Sequence, residues 1–198
     1  TTFASAITSF YSNVPVGHVE AGLRSGDLFS PWPEEANRKL TSVVSSLNFA
    51  PTETAKAKLL EEGYSSETIV VTGNTVIDAL EMTQEKMKNN ICLREKISTE
   101  FSFLPNKNMI LVTGHRRESF GAGFENICAA ILEIALANPD WVVVYPVHLN
   151  PRVKGPVYDA LSNIKNIFLI EPVEYASFIY LMERASIILT DSGGVQEE

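Results

Sequence analysis

Met109-Ile110-Leu111-Val112-Thr113-Gly114 is a short block of apolar residues closed by threonine and glycine. It has no in-out alternation, so both of its faces expect apolar cover, as in a strand inside a parallel sheet. A helical pattern follows from Gly121 to Ala137, and a second apolar block from Trp141 to Tyr145. The rhythm continues with a short helix at Pro156–Leu161 and a strand at Ile167–Ile170. A helix at Tyr175–Glu183 and a strand at Ile187–Thr190 complete it. Short apolar strands alternating with helices predict an α/β fold with parallel strands.

The same alternation reads backwards from Met109. Val14–Glu20 predicts a strand whose polar end carries His18 and Glu20 on one face. Ala21–Pro33 is a loop rich in Gly, Ser, Asp and Pro. A helix then opens at Pro33-Glu34-Glu35 and runs to about Val44, with proline and acids in its first turn. Leu47–Ala50 predicts a strand, and Pro51–Gly63 a helix capped by Thr52 with Ala55, Leu59 and Leu60 inward. Thr68–Thr72 predicts a further strand, Val76–Asn89 a helix, and Thr1–Tyr11 the back half of another. The mixed stretch around 76–108 reads as an inter-domain connection. Thr1–Tyr11 lacks a preceding strand, and Val195-Gln196-Glu197-Glu198 reads as a first helical turn only. The chain is therefore expected to be a piece of a longer one.

The 198 residues carry 16 basic and 24 acidic side chains, a formal net charge of −8. That balance argues against bulk-charge binding to nucleic acid. No apolar run is long enough to span a membrane, and no secretory leader is evident. Two cysteines, Cys92 and Cys128, are too few for a disulfide scaffold. A reducing, cytoplasmic setting is expected. The spacing of His18, His115 and His148 does not suit a metal, so neither metal nor cofactor is expected.

Four loops following strands could carry chemistry. His18-Val19-Glu20-Ala21-Gly22-Leu23-Arg24 joins a histidine and a carboxylate to a glycine-containing turn, and could equally be a structural loop with a Glu20–Arg24 pair. Pro31-Trp32-Pro33-Glu34-Glu35-Ala36-Asn37-Arg38 could place Glu34 for proton transfer, with Trp32 drying the site, or merely satisfy a helix start. Gly114-His115-Arg116-Arg117-Glu118-Ser119 and Asp191-Ser192-Gly193-Gly194 are strand–helix turns suited to anions, the second through successive backbone N–H groups, or else a solvated charged loop and a plain αβ turn. His148 reads more readily as structure than as a catalyst, and Phe178 as core that could also stack on a base.

Together with Thr72-Gly73-Asn74-Thr75-Val76-Ile77-Asp78 and Pro146-Val147-His148-Leu149-Asn150-Pro151, these stretches resemble the non-hydrolysing UDP-N-acetylglucosamine 2-epimerase family, in the family's order. The resemblance implies two Rossmann-like domains in a glycosyltransferase-B-like arrangement, both incomplete in this chain. Residues 1–75 would be the C-terminal part of the first, 76–108 the connection and the first helix of the second, and 109–198 the N-terminal part of the second, UDP-binding domain. It implies interconversion of UDP-GlcNAc and UDP-ManNAc through elimination and re-addition of UDP, by a homodimer when full length. The 198 residues alone would be inactive. By the match, Glu20 and Glu34 are acid/base candidates and His115 steadies the diphosphate. Ser192, Gly193 and Gly194 would bind phosphate, Glu198 ribose, and Phe178 uracil. Arg116 and His148 match accessory or allosteric positions. Val173 departs from some relatives, which carry glutamine there. A hydrolysing epimerase, a glycosyltransferase of the same fold and a non-enzymatic nucleotide-sugar-binding fragment are the alternatives.

Overall fold

The computed structural model describes residues 1–114 and 122–197. The chain divides into two compact units, Thr1–Asp78 and Ala79–Glu198.

In the first unit, α1 (Thr2–Tyr11) packs against α2 (Glu34–Val44). Strands β1 (Gly17–Val19), β2 (Leu47–Ala50) and β3 (Ile69–Val71) form a parallel sheet in the order β1-β2-β3. His18 lies opposite Asn48, and Asn48 opposite Ile69. Helix α3 (Glu53–Glu61) links β2 to the 3₁₀ turn before β3, and the Thr52 side chain caps it by accepting the Ala55 N–H at 3.1 Å. Ala21, Ala50, Ala55, Leu59 and Ile69 are the buried core. Leu60, expected inward, is exposed instead. Ala55 and Leu59 sit one turn apart on the buried stripe, and Leu60 falls about 100° round from Leu59.

Helix α4 (Thr75–Asn89) runs on from the first unit into the second, where α5 (Ile91–Glu100) follows. Strands β4 (Met109–Thr113), β5 (Val142–Pro146), β6 (Ile167–Ile170) and β7 (Ile187–Thr190) pair in parallel, in the order β6-β5-β4-β7. They alternate with α6 (Ala122–Ala137), α7 (Pro151–Leu161) and α8 (Tyr175–Arg184), and α9 (Gly193–Glu197) follows β7.

Ile110 and Val112 face one apolar cluster with Phe124, Cys128 and Ile131 of α6 and Val153 and Val157 of α7. Met109 and Leu111 face another with Met87, Ile97, Phe101, Ile179 and Leu181. Period-two side-chain alternation sends successive residues of β4 to opposite faces, and both faces are covered. This double cover explains the unbroken apolar strand, and the unit is Rossmann-like. The stretch 76–108, read as the connection and the first helix of the second domain, supplies Met87, Ile97, Phe101 and Leu104 to this core.

Helix α7 begins five residues earlier than expected. Asn150 caps it, its side-chain oxygen accepting the Arg152 N–H at 3.0 Å, and Pro151 occupies the first turn, where its missing N–H costs nothing.

Candidate functional site

In the first unit a cavity of about 390 Å³ opens beyond the end of β1. Its walls include His18 and Glu20 from the β1 end, Leu23 from the loop, and Glu34, Asn37, Arg38 and Thr41 from α2. Glu34, Arg38 and Thr41 share a wall because residues three, four and seven apart share a helix face. Proline at 33 and acids at 34 and 35 place the start of α2 at this point, so Glu34 stands at its first position.

Glu20 does not continue the strand. It adopts φ 61°, in the left-handed region, so its carboxylate leaves the β1 ladder. The expected common strand face for His18 and Glu20 is therefore replaced by a turn, yet both still line the cavity. Glu20 Oε1 accepts a 3.4 Å hydrogen bond from the Thr75 hydroxyl at the start of α4.

The contemplated Glu20–Arg24 pair is absent. Arg24 Nε and Nη2 donate to the two carboxylate oxygens of Glu62, both at 2.8 Å, and Nη2 also reaches Ser42 Oγ at 3.2 Å. A planar guanidinium matched to a carboxylate makes this bidentate geometry favourable. It holds Glu62 below the usual carboxylate range, chiefly through the hydrogen bonds from Arg24, against a smaller opposing effect of burial.

Ser42 Oγ in turn lies 3.4 Å from His18 Nδ1. Burial lowers the His18 pKa first, and the positive charges of Arg24 and Arg38 lower it further. The imidazole is therefore neutral at neutral pH. Trp32, expected to dry the site, is 65% exposed and is not among the lining residues.

Sequence reasoning missed three features here. Glu35, beside Glu34, is fully buried. Asn48, opposite His18, is buried with neither its side-chain oxygen nor its nitrogen hydrogen-bonded. Arg38, one turn after Glu34, lines the cavity. The helix spacing could have found Arg38. The burial of Glu35 and Asn48 has no local signal.

In the second unit the chain switches direction across the sheet between β4 and β7, and ligands in open parallel sheets collect beyond such a point. The Thr113 hydroxyl donates to Thr190 Oγ1 at 2.6 Å, joining the two strand ends. Fully buried Tyr145 donates its hydroxyl to the Gly114 carbonyl at 2.6 Å, just past the end of β4. Burial raises the Tyr145 pKa, so the phenol stays protonated.

After β7, the Ser192 N–H donates to Thr190 Oγ1 at 2.9 Å, and Gly193 and Gly194 open α9. Phe178 packs on α8 against the apolar cluster containing Met109 and Ile179. His148 is exposed, and its Nδ1 accepts the Asn150 N–H at 3.1 Å at the entrance to α7. His115, Arg116 and Glu198 lie outside the described residues.

Among the described residues, no three His, Cys, Asp or Glu side chains gather as metal ligands, and no helix is long and apolar enough to cross a membrane.

The model of a family described as UDP-N-acetylglucosamine 2-epimerase matches residues 1–198. A UDP-N-acetylglucosamine 2-epimerase of Yersinia pestis is 56% identical over all of this chain and 53% of its own length. A probable enzyme of the same name from Ralstonia nicotianae is 54% identical, with the same coverage. The crystal structure of UDP-GlcNAc 2-epimerase from Neisseria meningitidis bound to UDP-GlcNAc superposes with a TM-score of 0.95 at 52% identity. It covers 99% of this chain and 53% of that one. The chain thus spans about half the length of the curated relatives it matches. With the family's model matched from the first residue to the last, the chain belongs to the UDP-N-acetylglucosamine 2-epimerase family.

Proposed function

We propose that the whole protein interconverts UDP-GlcNAc and UDP-ManNAc by inversion at C2. A carboxylate takes the C2 proton while the C1–oxygen bond to UDP breaks, leaving a 2-acetamidoglucal and UDP. UDP then adds back at C1 as a proton arrives at the other face of C2, so atoms and charge balance. The observation that carries this reading is the cavity lined by both Glu20 and Glu34, with Arg38 one turn along the same helix wall. Two carboxylates within one cavity are what a two-sided proton transfer requires. The structure of the Neisseria meningitidis relative bound to UDP-GlcNAc supports the substrate class.

Glu20 and Glu34 are assigned as the acid/base pair, and His115 as the group steadying the diphosphate. Ser192, Gly193 and Gly194 are assigned to phosphate, Glu198 to ribose and Phe178 to uracil, with Arg116 and His148 in accessory roles. The polar ends of β4 and β7 support an anion-binding role there. The whole protein is proposed to act as a cytoplasmic homodimer, and the 198 residues alone to be inactive.

The experiment is incubation of the complete protein with UDP-GlcNAc in deuterated water. Deuterium at C2 together with UDP-ManNAc is the expected result. Free ManNAc with released UDP would identify a hydrolysing epimerase instead. A product that appears only with an acceptor would identify a glycosyltransferase.

A further inference from the structure

Glu34 and Glu35 are neighbours in the first turn of α2, but a helix turns about 100° per residue and sends them different ways. Glu34 reaches the cavity wall, whereas Glu35 is buried completely. An acid that merely complements a helix start sits in solvent near the exposed N–H groups. Glu35 does not: its Oε1 accepts the N–H of Gly26, nine positions earlier in the chain, at 3.3 Å. Its Oε2 makes no hydrogen bond, and the Arg38 guanidinium, one turn along the helix, lies 4.0 Å from it.

A buried carboxylate is costly unless something compensates it, and an apolar side chain of like volume would usually stabilise such a place better. Its position gives it a role. Arg38 lines the cavity, and its long side chain has many rotamers unless a fixed charge selects one. Glu35 supplies that charge from behind, on a helix wall that also carries Glu34.

We propose that Glu35 is a positioning residue, whose buried carboxylate holds the Arg38 guanidinium at the cavity wall and ties the Gly26 turn to α2. The catalytic part of this inference rests on the epimerase reading above, whereas the structural part does not.

The test uses the complete protein and the Glu35→Gln variant, which keeps the acceptor for Gly26 and removes the charge. The first readout needs no substrate: the side-chain Nε–H resonance of Arg38 in the nitrogen-15 NMR spectrum, assigned by its disappearance in Arg38→Lys. The expected result is an ordered Arg38 signal in the parent, which broadens or loses order in Glu35→Gln. An unchanged signal overturns the proposal. If Glu35→Gln does not fold, Arg38→Met reads the pair from the other side. The carbon-13 carboxyl resonance of Glu35, read at one fixed neutral pH, is then expected to shift, and an unmoved resonance overturns the proposal.

The second readout is turnover. Glu35→Gln is expected to lower kcat/KM about 10- to 100-fold, as a displaced positioning group does. The same change made in Arg38→Met is expected to cost nothing more, whereas a full additional loss there overturns the action through Arg38. If the parent shows no exchange at C2, the epimerase reading fails, and the Arg38 resonance still decides the role of Glu35.

Discussion

Gly22 lies directly against the backbone of Ala55: a Cβ at position 22 would stand 2.2 Å from the Ala55 carbonyl oxygen and 2.8 Å from its carbon. Gly22 also has φ +87°, where side chains are strained. This contact seats the loop that follows Glu20 on α3. Gly22→Ala is expected to destabilise by about 2–5 kcal/mol, the left-handed conformation and the overpacking adding together. Chemical denaturation checks it, and a loss below about 1 kcal/mol would show that the loop can move aside.

The Arg24–Glu62 pair predicts acid sensitivity. Glu62 has a folded-state pKa below its unfolded value, mainly through the Arg24 hydrogen bonds. Its contribution is complete above the unfolded value and is lost as pH falls through the folded one. Glu62→Gln should therefore flatten the acid limb of melting temperature against pH below about pH 4.5. Arg24→Ala should cost about 1.5–3 kcal/mol at neutral pH, the worth of hydrogen bonds to a charged group. Equal acid limbs in the parent and Glu62→Gln would contradict the assignment.

His18 predicts a second pH dependence, in a different window. Its pKa is lowered by burial, then by Arg24 and Arg38, so the unfolded chain takes up a proton first as pH falls. Stability is complete above the unfolded value, about 6.5, and declines as pH falls through the lower folded value. Titration of the ring protons by NMR should give a midpoint below 6.5, and His18→Gln should remove that part of the slope. A midpoint at or above 6.5 would contradict the neutral imidazole.

In the complete protein, Glu20→Gln and Glu34→Gln should each lower kcat by about 10²–10⁴-fold, the usual range for a lost proton-transfer group. Binding of UDP, followed by calorimetry, should change little, because each substitution keeps size and polarity. A variant that loses UDP affinity and turnover in equal measure would make that carboxylate a binding group.

The Tyr145 hydroxyl is bonded to the Gly114 carbonyl within a fully buried setting. Tyr145→Phe should cost about 1–3 kcal/mol by leaving that carbonyl without its partner. Thermal melting measures it, and a neutral result would show that the carbonyl finds another donor.

The second unit was legible because its strands are short apolar blocks between polar turns, and Met109–Thr113 and Ile187–Thr190 lie where the pattern put them. Pro156 resembles a helix start in the sequence, yet α7 begins at Pro151 and carries Pro156 inside. Within the candidate site, Glu20 and Glu34 could be picked out from their loops, because strand ends and helix starts are local signals. Arg24 could not be paired correctly, since Glu62 lies 38 residues away. The fates of Glu34 and Glu35 were inseparable in the sequence, because burial of the second depends on where the Gly26 turn comes to rest.

The Thr75 hydroxyl donates to Glu20 and also stands at the first residue of the long helix α4. An ionised carboxylate accepts that bond better than a protonated one. A cavity-lining carboxylate and the first residue of a fifteen-residue helix thus share one hydrogen bond. A change at either partner is therefore felt by the other: Thr75→Val takes a donor from Glu20, and Glu20→Ala takes from the first residue of α4 the acceptor that steadies it.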